Sequence, residues 1–234
     1  MPKINMKITK IEIDQYQVMK WKNGLGQTYQ IDISPQSLSE NTIEKTGLQE
    51  EFDWRLSTAP VFNSGAFSNF HGYERILILL EGKGIKLFFK NAEEEFEKIL
   101  KLGDQCHFSG SESVRCELIE GPVKDLNLIY NLKKIQPEVF VEKFLLNNNS
   151  DEEKEFEINF SGDTCVIYVM IINGQMKIND SGELLMVAEG ECLKITPKNN
   201  SANSQVKIIF FKNKIHQLNK LPVILIELKC ARLF

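Results

Sequence analysis

The sequence predicts an all-β protein in which one chain forms two jelly-roll barrels. Three observations predict it. Short segments of alternating apolar residues recur along the whole chain, each bounded by Gly, Pro, Asn or Asp. No stretch sustains the 3.6-residue apolar period of a long helix. A strand-and-turn pattern also occurs twice: Leu79-Leu80-Glu81-Gly82 followed by Leu102-Gly103-Asp104 matches Ile171-Ile172-Asn173-Gly174 followed by Glu189-Gly190-Glu191. The division expected from this is residues 1–134 for the first barrel and 135–234 for the second, with a tail extension from about Ile215.

Taken in order, Lys7 to Asp14 alternates well enough for a first strand. A loop punctuated by Gly24 and Gly26 leads into a strand at Tyr29–Ile33. That loop lacks the Gly-Lys-Ser/Thr of a phosphate loop, and no long helix follows it. Ser34 to Glu51 is polar and reads as a connection. From Phe52, residues Phe52, Trp54, Leu56 and Thr58 alternate against Asp53, Arg55 and Ser57, which predicts a strand. A small-residue loop carrying Phe67 and Phe70 follows, then the apolar run Ile76–Leu80, the turn Glu81–Gly84 and a hairpin partner at Ile85–Phe89. The acidic run within Asn91–Lys98 reads as a solvated turn. Strands are expected around Cys106–Phe108, Val114–Ile119 and Leu126–Leu132. In the second half they are expected at Val139–Leu146, Glu155–Phe160, Cys165–Ile172, Met176–Ile178, Leu184–Ala188, Cys192–Ile195, Val206–Phe211 and Val223–Leu228.

Charge and cysteine usage narrow the function. With 28 basic and 32 acidic residues the formal net charge is −4, and no Lys/Arg run exceeds Lys133-Lys134, which argues against nucleic-acid binding. Five cysteines without CxxC spacing read as reduced core residues. The N-terminal residues lack the apolar core of a signal peptide, and Leu221–Ile226 is too short to span a membrane. The expected location is cytoplasmic, with no membrane partner.

Several motifs together resemble the HutD/Ves family. They are Trp21-Lys22-Asn23-Gly24 with Thr28, Phe52-Asp53-Trp54-Arg55-Leu56-Ser57, and Phe67-Ser68-x-Phe70-x-Gly72 with Arg75. Leu79-Leu80-Glu81-Gly82-x-Gly84 and Gly121-Pro122-Val123-x-Asp125-x-Asn127 complete the set. The resemblance covers most of residues 1 to about 211 and is strongest up to about Asn131. It implies a bicupin, two cupin barrels packed in one chain. It also implies binding of a small carboxylate metabolite, either a histidine-degradation intermediate such as urocanate or formylglutamate, or a ligand of a stress-linked role. The sequence departs from the family pattern at Leu25, where Gly is usual, at Gln30, where Glu is common, and at His71, where Pro is usual.

Metal cupins hold their ion with a His-x-His pair, a Glu and a later His. Here His71 aligns with the second ligand position, but Arg75 occupies the carboxylate position, and a permanent cation repels a metal ion. His107 and His216 do not fit the remaining positions. No metal, no cofactor and no catalytic residue is therefore expected, and no G-x-S-x-G elbow is present. Recognition of an acid fits better. Guanidinium forks suit carboxylates, and an aromatic wall excludes water. The expected ligand-binding set is Trp21, Lys22, Asn23, Thr28, Arg55, Ser57, Phe67, Ser68, Phe70, Arg75, Glu81, Asp125 and Asn127. Arg55 alternatively faces solvent or pairs with Asp53 or Glu51, the aromatics alternatively belong to the core, and Asp125 and Asn127 either point into the barrel or cap a strand end. Two other functions stay open: a cupin enzyme acting on a small acid through Glu81, His71 or Asp125, and an interaction protein or homodimer that adds the Leu221–Leu228 strand to a sheet edge.

Overall fold

A computed structural model describes residues 6–21, 24, 26–35, 51–90, 95–142, 153–159, 163–172, 175–180, 183–198, 205–211 and 223–230. The described residues form strands, with one 3₁₀ turn at Ile13–Gln15, as the alternation pattern requires. They contain no helix long and apolar enough to cross a membrane. The strands are numbered in chain order. They divide into two compact units, one of Tyr16–Ile135 and one of Met1–Gln15 with Gln136–Phe234.

The first strand, β1 (Met6–Ile11), does not belong with its neighbours in sequence. It pairs antiparallel with β17 (Cys192–Pro197), Met6 opposite Pro197 and Ile11 opposite Cys192. The expected boundary placed residues 1–134 in one barrel. Met6, fully buried, instead packs into the apolar cluster of Ile167, Val169, Ile171, Leu193 and Ile195. Burying that side chain stabilises the pairing by about 1.5–3 kcal/mol, a non-local gain that no local pattern announces.

The Tyr16–Ile135 unit is a two-sheet sandwich. One sheet has the order β2 (Gln17–Lys20), β3 (Gln27–Ser34), β4 (Trp54–Val61), β11 (Val123–Tyr130), β6 (Glu74–Glu81), β9 (Gln105–Ser109). The other has the order β5 (Gly65–Ala66), β10 (Ser113–Leu118), β7 (Ile85–Lys90), β8 (Glu95–Leu100). Leu77 and Leu79 of β6, Val61 of β4 and Val123 of β11 meet Ile85, Leu87, Leu100 and Val114 of the facing sheet in one core. Ile76, Ile78 and Leu80, on the opposite face of β6, are buried as well, so the strand reads as a continuous apolar run. Of the acidic segment expected as a turn, residues 91–94 lie outside the described residues, and 95–98 belong to strand β8. Cross-strand pairs hold it to β7: Lys90–Glu95 at 2.6 Å, Lys86–Glu97 at 3.0 Å, and the Phe89 and Phe96 rings stacked at 4.7 Å.

The second unit pairs a sheet of order β1, β17, β14 (Thr164–Ile171), β19 (Val223–Cys230), β12 (Ile135–Glu142) with one of order β13 (Glu153–Asn159), β18 (Gln205–Phe211), β15 (Gln175–Asp180), β16 (Glu183–Val187). The tail strand expected to offer an exposed edge is therefore internal. β19 is hydrogen-bonded on both sides, with Ile224, Ile226 and Leu228 buried, and it has no free edge to lend a partner. Cys106, Cys116 and Cys192 are buried in the core. Cys165 is disulfide-bonded, which departs from the expectation of five reduced thiols.

Candidate functional site

Strand register assembles the site. β11 lies between β4 and β6, and residues directly opposite one another share a face of the sheet. Arg55, Ile129 and Arg75 form one such row. Ser57, Asn127 and Leu77 form the next, and Ala59, Asp125 and Leu79 the one after. Leu77 and Leu79 belong to the core, so this face is the interior of the sandwich. The i, i+2 spacing of Arg55 with Ser57, and of Asp125 with Asn127, thus carries all four side chains inward together with Arg75.

The two arginines sit in an aromatic cage. Arg75 is 3% exposed. Its guanidinium carbon lies 5.0 Å from the Phe108 ring centroid, 5.3 Å from that of Phe67 and 5.4 Å from that of Phe70, and its Nη1 donates to the Ser68 carbonyl at 3.0 Å. Arg55 is half-buried and lies 4.8 Å from the same Phe70 ring and 5.6 Å from Phe52. Arg55 is partly open to solvent but forms no ion pair with Asp53 or Glu51; Asp53 pairs instead with Lys134 at 2.6 Å. Neither guanidinium forms an ion pair with a described residue, and Nε of each is buried without a hydrogen-bond partner, as is Oδ1 of Asn127. Burial pulls both arginines down to about 10; the Asp125 carboxyl opposes the shift at Arg75, and Arg55 adds to it. Asp125, 3% exposed, is pushed up to about 7 by burial, against the pull of Arg75 and a hydrogen bond from the Ala59 backbone.

A short loop places the aromatic wall. Phe67 N–H donates to the Val114 carbonyl at 2.8 Å, Phe70 N–H to Gly110 at 2.6 Å, and Gly110 N–H to Tyr73 at 2.8 Å. A Cβ at Gly110 would lie 2.9 Å from the Tyr73 carbonyl and closer still to that of Phe70. The Gly110→Ala variant is therefore expected to push the Phe70 loop off the arginines. It should cost about 1–3 kcal/mol of stability in urea unfolding and weaken ligand binding in the same preparation. Tyr73 stacks on Phe52 at 4.3 Å, and its hydroxyl accepts the Phe52 N–H at 3.0 Å, closing the cage at Arg55.

The other expected residues divide. Trp21 packs on the core edge and donates from Nε1 to Thr28 Oγ1 at 2.9 Å. Lys22 and Asn23 lie outside the described residues. Ser57 is buried, its hydroxyl 3.5 Å from the Asn127 carbonyl. Ser68 is exposed and contributes its carbonyl alone. Glu81 sits at the far end of β6, about 20 Å along the strand from Arg75, and pairs with Lys124 at 3.7 Å. Phe52, Tyr73 and Phe108 were not among the expected site residues. Phe108 reaches Arg75 only through the β6–β9 register, where the two are directly opposite. His71 and His107 are exposed, His216 is outside the described residues, and no group of three His, Cys, Asp or Glu among the described residues could hold a metal ion. An open surface depression of about 510 Å³ lies at Phe88, Phe96 and Arg115. Its charges are matched locally, Lys90 with Glu95 and Arg115 with Glu117, so it lacks the unpaired charge of the arginine cage.

Comparison with known proteins bears on the family and the fold. The HutD family profile matches residues 13–209. An uncharacterised 21.2 kDa protein from the hutC 3′ region of Pseudomonas putida is 36% identical over 51% of this chain, an alignment that spans just over half (56%) of that relative. Protein Ves of Citrobacter koseri is 29% identical over 77% of this chain and 80% of its own length. Among solved structures, HutD from Pseudomonas fluorescens SBW25 (formate condition) superposes with a TM-score of 0.68 at 26% identity, covering 97% of this chain and 100% of that one. The fold is also that of a Lactobacillus farciminis oxalate decarboxylase, at 7% identity and a TM-score of 0.53 over 96% of this chain and 86% of that one. The chain has a cupin-like all-β fold and belongs to the HutD family.

Proposed function

We propose that this protein binds a small carboxylate metabolite in the interior of the Tyr16–Ile135 unit, without a metal and without turning it over. The observation that carries the reading is the pair of guanidiniums on one interior face, caged by aromatic rings and lacking an ion-pair partner. Two inward cations, neither in a direct ion pair, are costly in the empty protein, and an anion that seats on them offsets that cost. The forked donors favour a carboxylate, and Phe67, Phe70 and Phe108 suit a short planar or aliphatic stem. A relative from the hutC 3′ region and membership of the HutD family are consistent with an acid of the histidine-degradation pathway such as urocanate or formylglutamate.

Calorimetry and thermal shift with oxalate, glutarate, urocanate and formylglutamate test the reading. At a hundredfold excess over Kd, a true ligand adds about 2.7 kcal/mol, which raises Tm by roughly 5–10 °C for a chain of this size. Absence of heat and shift for every acid, or unchanged binding in Arg75→Ala, would overturn the proposal. Product formation in the same mixtures would turn it into an enzyme.

A further inference from the structure

We propose that anion binding here is linked to a proton on Asp125, which serves as counter-ion of the empty site and becomes the neutral acid when a carboxylate enters. The inference rests on the anion-binding reading above and adds its regulation by pH.

The placement of Asp125 carries it. The side chain shares the interior face with both arginines, two registered rows along from them, flanked by Ala59 and Leu79. It is 3% exposed, makes no ion pair with a described residue, and receives one backbone hydrogen bond, from Ala59. Thr58 donates to its main-chain carbonyl at 2.6 Å and leaves the carboxyl alone. The acid thus lies within electrostatic reach of Arg75 without a direct ion pair to it. A ligand carboxylate seated on the guanidiniums takes over the role of counter-ion. It also sets a second negative charge near Asp125, which favours the protonated form.

No other group on this face competes for the assignment. Arg55 on β4 and Arg75 on β6 stay charged, at about 10. Cys116 on β10 and Cys106 on β9 are both raised above their usual 9 by burial. From β3, β7 and β8 the residues on this face are Gln30 and Ile33, then Ile85, Leu87 and Phe89, then Phe96, Lys98 and Leu100. The exposed Lys98 ammonium donates to the Gln105 carbonyl beside Cys106, and Tyr73 stands by Arg55, so neither acts on Asp125. The empty-site carboxyl lies at about 7, so binding raises it further and takes up a proton. Affinity is then level below about pH 7 and falls as pH rises toward the bound-state value. An arginine site without such an acid would be level throughout.

The experiment titrates the full chain with oxalate and with glutarate, whose own carboxyls titrate below pH 6. It runs from pH 6.5 to 8.5, in two cationic buffers of different ionisation enthalpy. Expected are a loss of affinity of about tenfold across that range and uptake of about half a proton or more per ligand near pH 8. In Asp125→Asn the affinity should be level with pH, should match or exceed the wild-type value at pH 6.5, and should involve no proton uptake. Level wild-type affinity with no uptake, proton release, or a slope that survives in Asp125→Asn would each overturn the linkage while leaving the anion site standing. Failure of the wild type to bind either acid at any pH would remove the anion site itself, and the linkage with it.

Discussion

Replacing Arg75 with methionine is expected to raise the unfolding temperature of the free protein and to abolish its response to small carboxylates. Burial lowers the arginine to about 10, a penalty on the charged form of about 3 kcal/mol. Contacts with Phe67, Phe70 and Phe108 and the bond to the Ser68 carbonyl recover part of it. Methionine keeps the apolar stem, makes sulfur–aromatic contacts in the same cage, and removes the repulsion with Arg55. A net gain of about 1–2 kcal/mol corresponds to roughly 2–8 °C in Tm. Scanning fluorimetry with and without excess oxalate reads both effects at once. A variant that melts well below wild type and still shifts with oxalate would contradict the assignment. Arg75→Lys separates fork from charge: it should keep the cation and lose most of the affinity.

The Asp125→Asn variant is expected to be markedly more stable than wild type at pH 8 and to keep only about a quarter of that advantage near pH 4.5. The folded-state value of Asp125 is raised, from 3.8 to about 7. Its contribution is therefore fully present below about pH 4 and is lost as pH climbs through 7. Across those three or so units the wild type forfeits up to about 4 kcal/mol, which an amide does not. Other carboxylates act in both proteins and cancel in the difference. Urea unfolding at pH 4.5, 6 and 8 gives the curve, and a constant difference across the three would refute the buried neutral acid.

Much of the site was legible because strands alternate strictly. Arg55 with Ser57 and Asp125 with Asn127 are each two apart, so each pair shares a face whatever the fold does. Which face that is depended on Leu77 and Leu79 lying opposite Asn127 and Asp125, a matter of register across more than forty residues. Phe108 joined Arg75 by the same kind of pairing and left no local mark. Glu81 read as a site residue because it lies in the Leu79-Leu80-Glu81-Gly82-x-Gly84 motif, but the register shift between Lys124 and Asp125 sets it opposite Lys124. The charged run of β8 looked like a turn because its partners, Lys86 and Lys90, lie on another strand. β19 read as an exposed strand, since nothing in its own residues says that strands bond to it on both sides.

The pairing of β1 with β17 and the inner position of β19 bear on synthesis. Strands β2 to β11 are contiguous in sequence, so every hydrogen-bonding partner of the arginine cage exists once residue 135 has left the ribosome. The five-stranded sheet of the other unit draws on Met6–Ile11 at one end of the chain and Val223–Cys230 at the other. Until those last residues emerge, β14 and β12 each lack the neighbour that fills the gap between them, and their unpaired edges stay open to other chains. During translation the ligand site belongs to the half that can be finished early, and the exposure to misassembly belongs to the half that cannot.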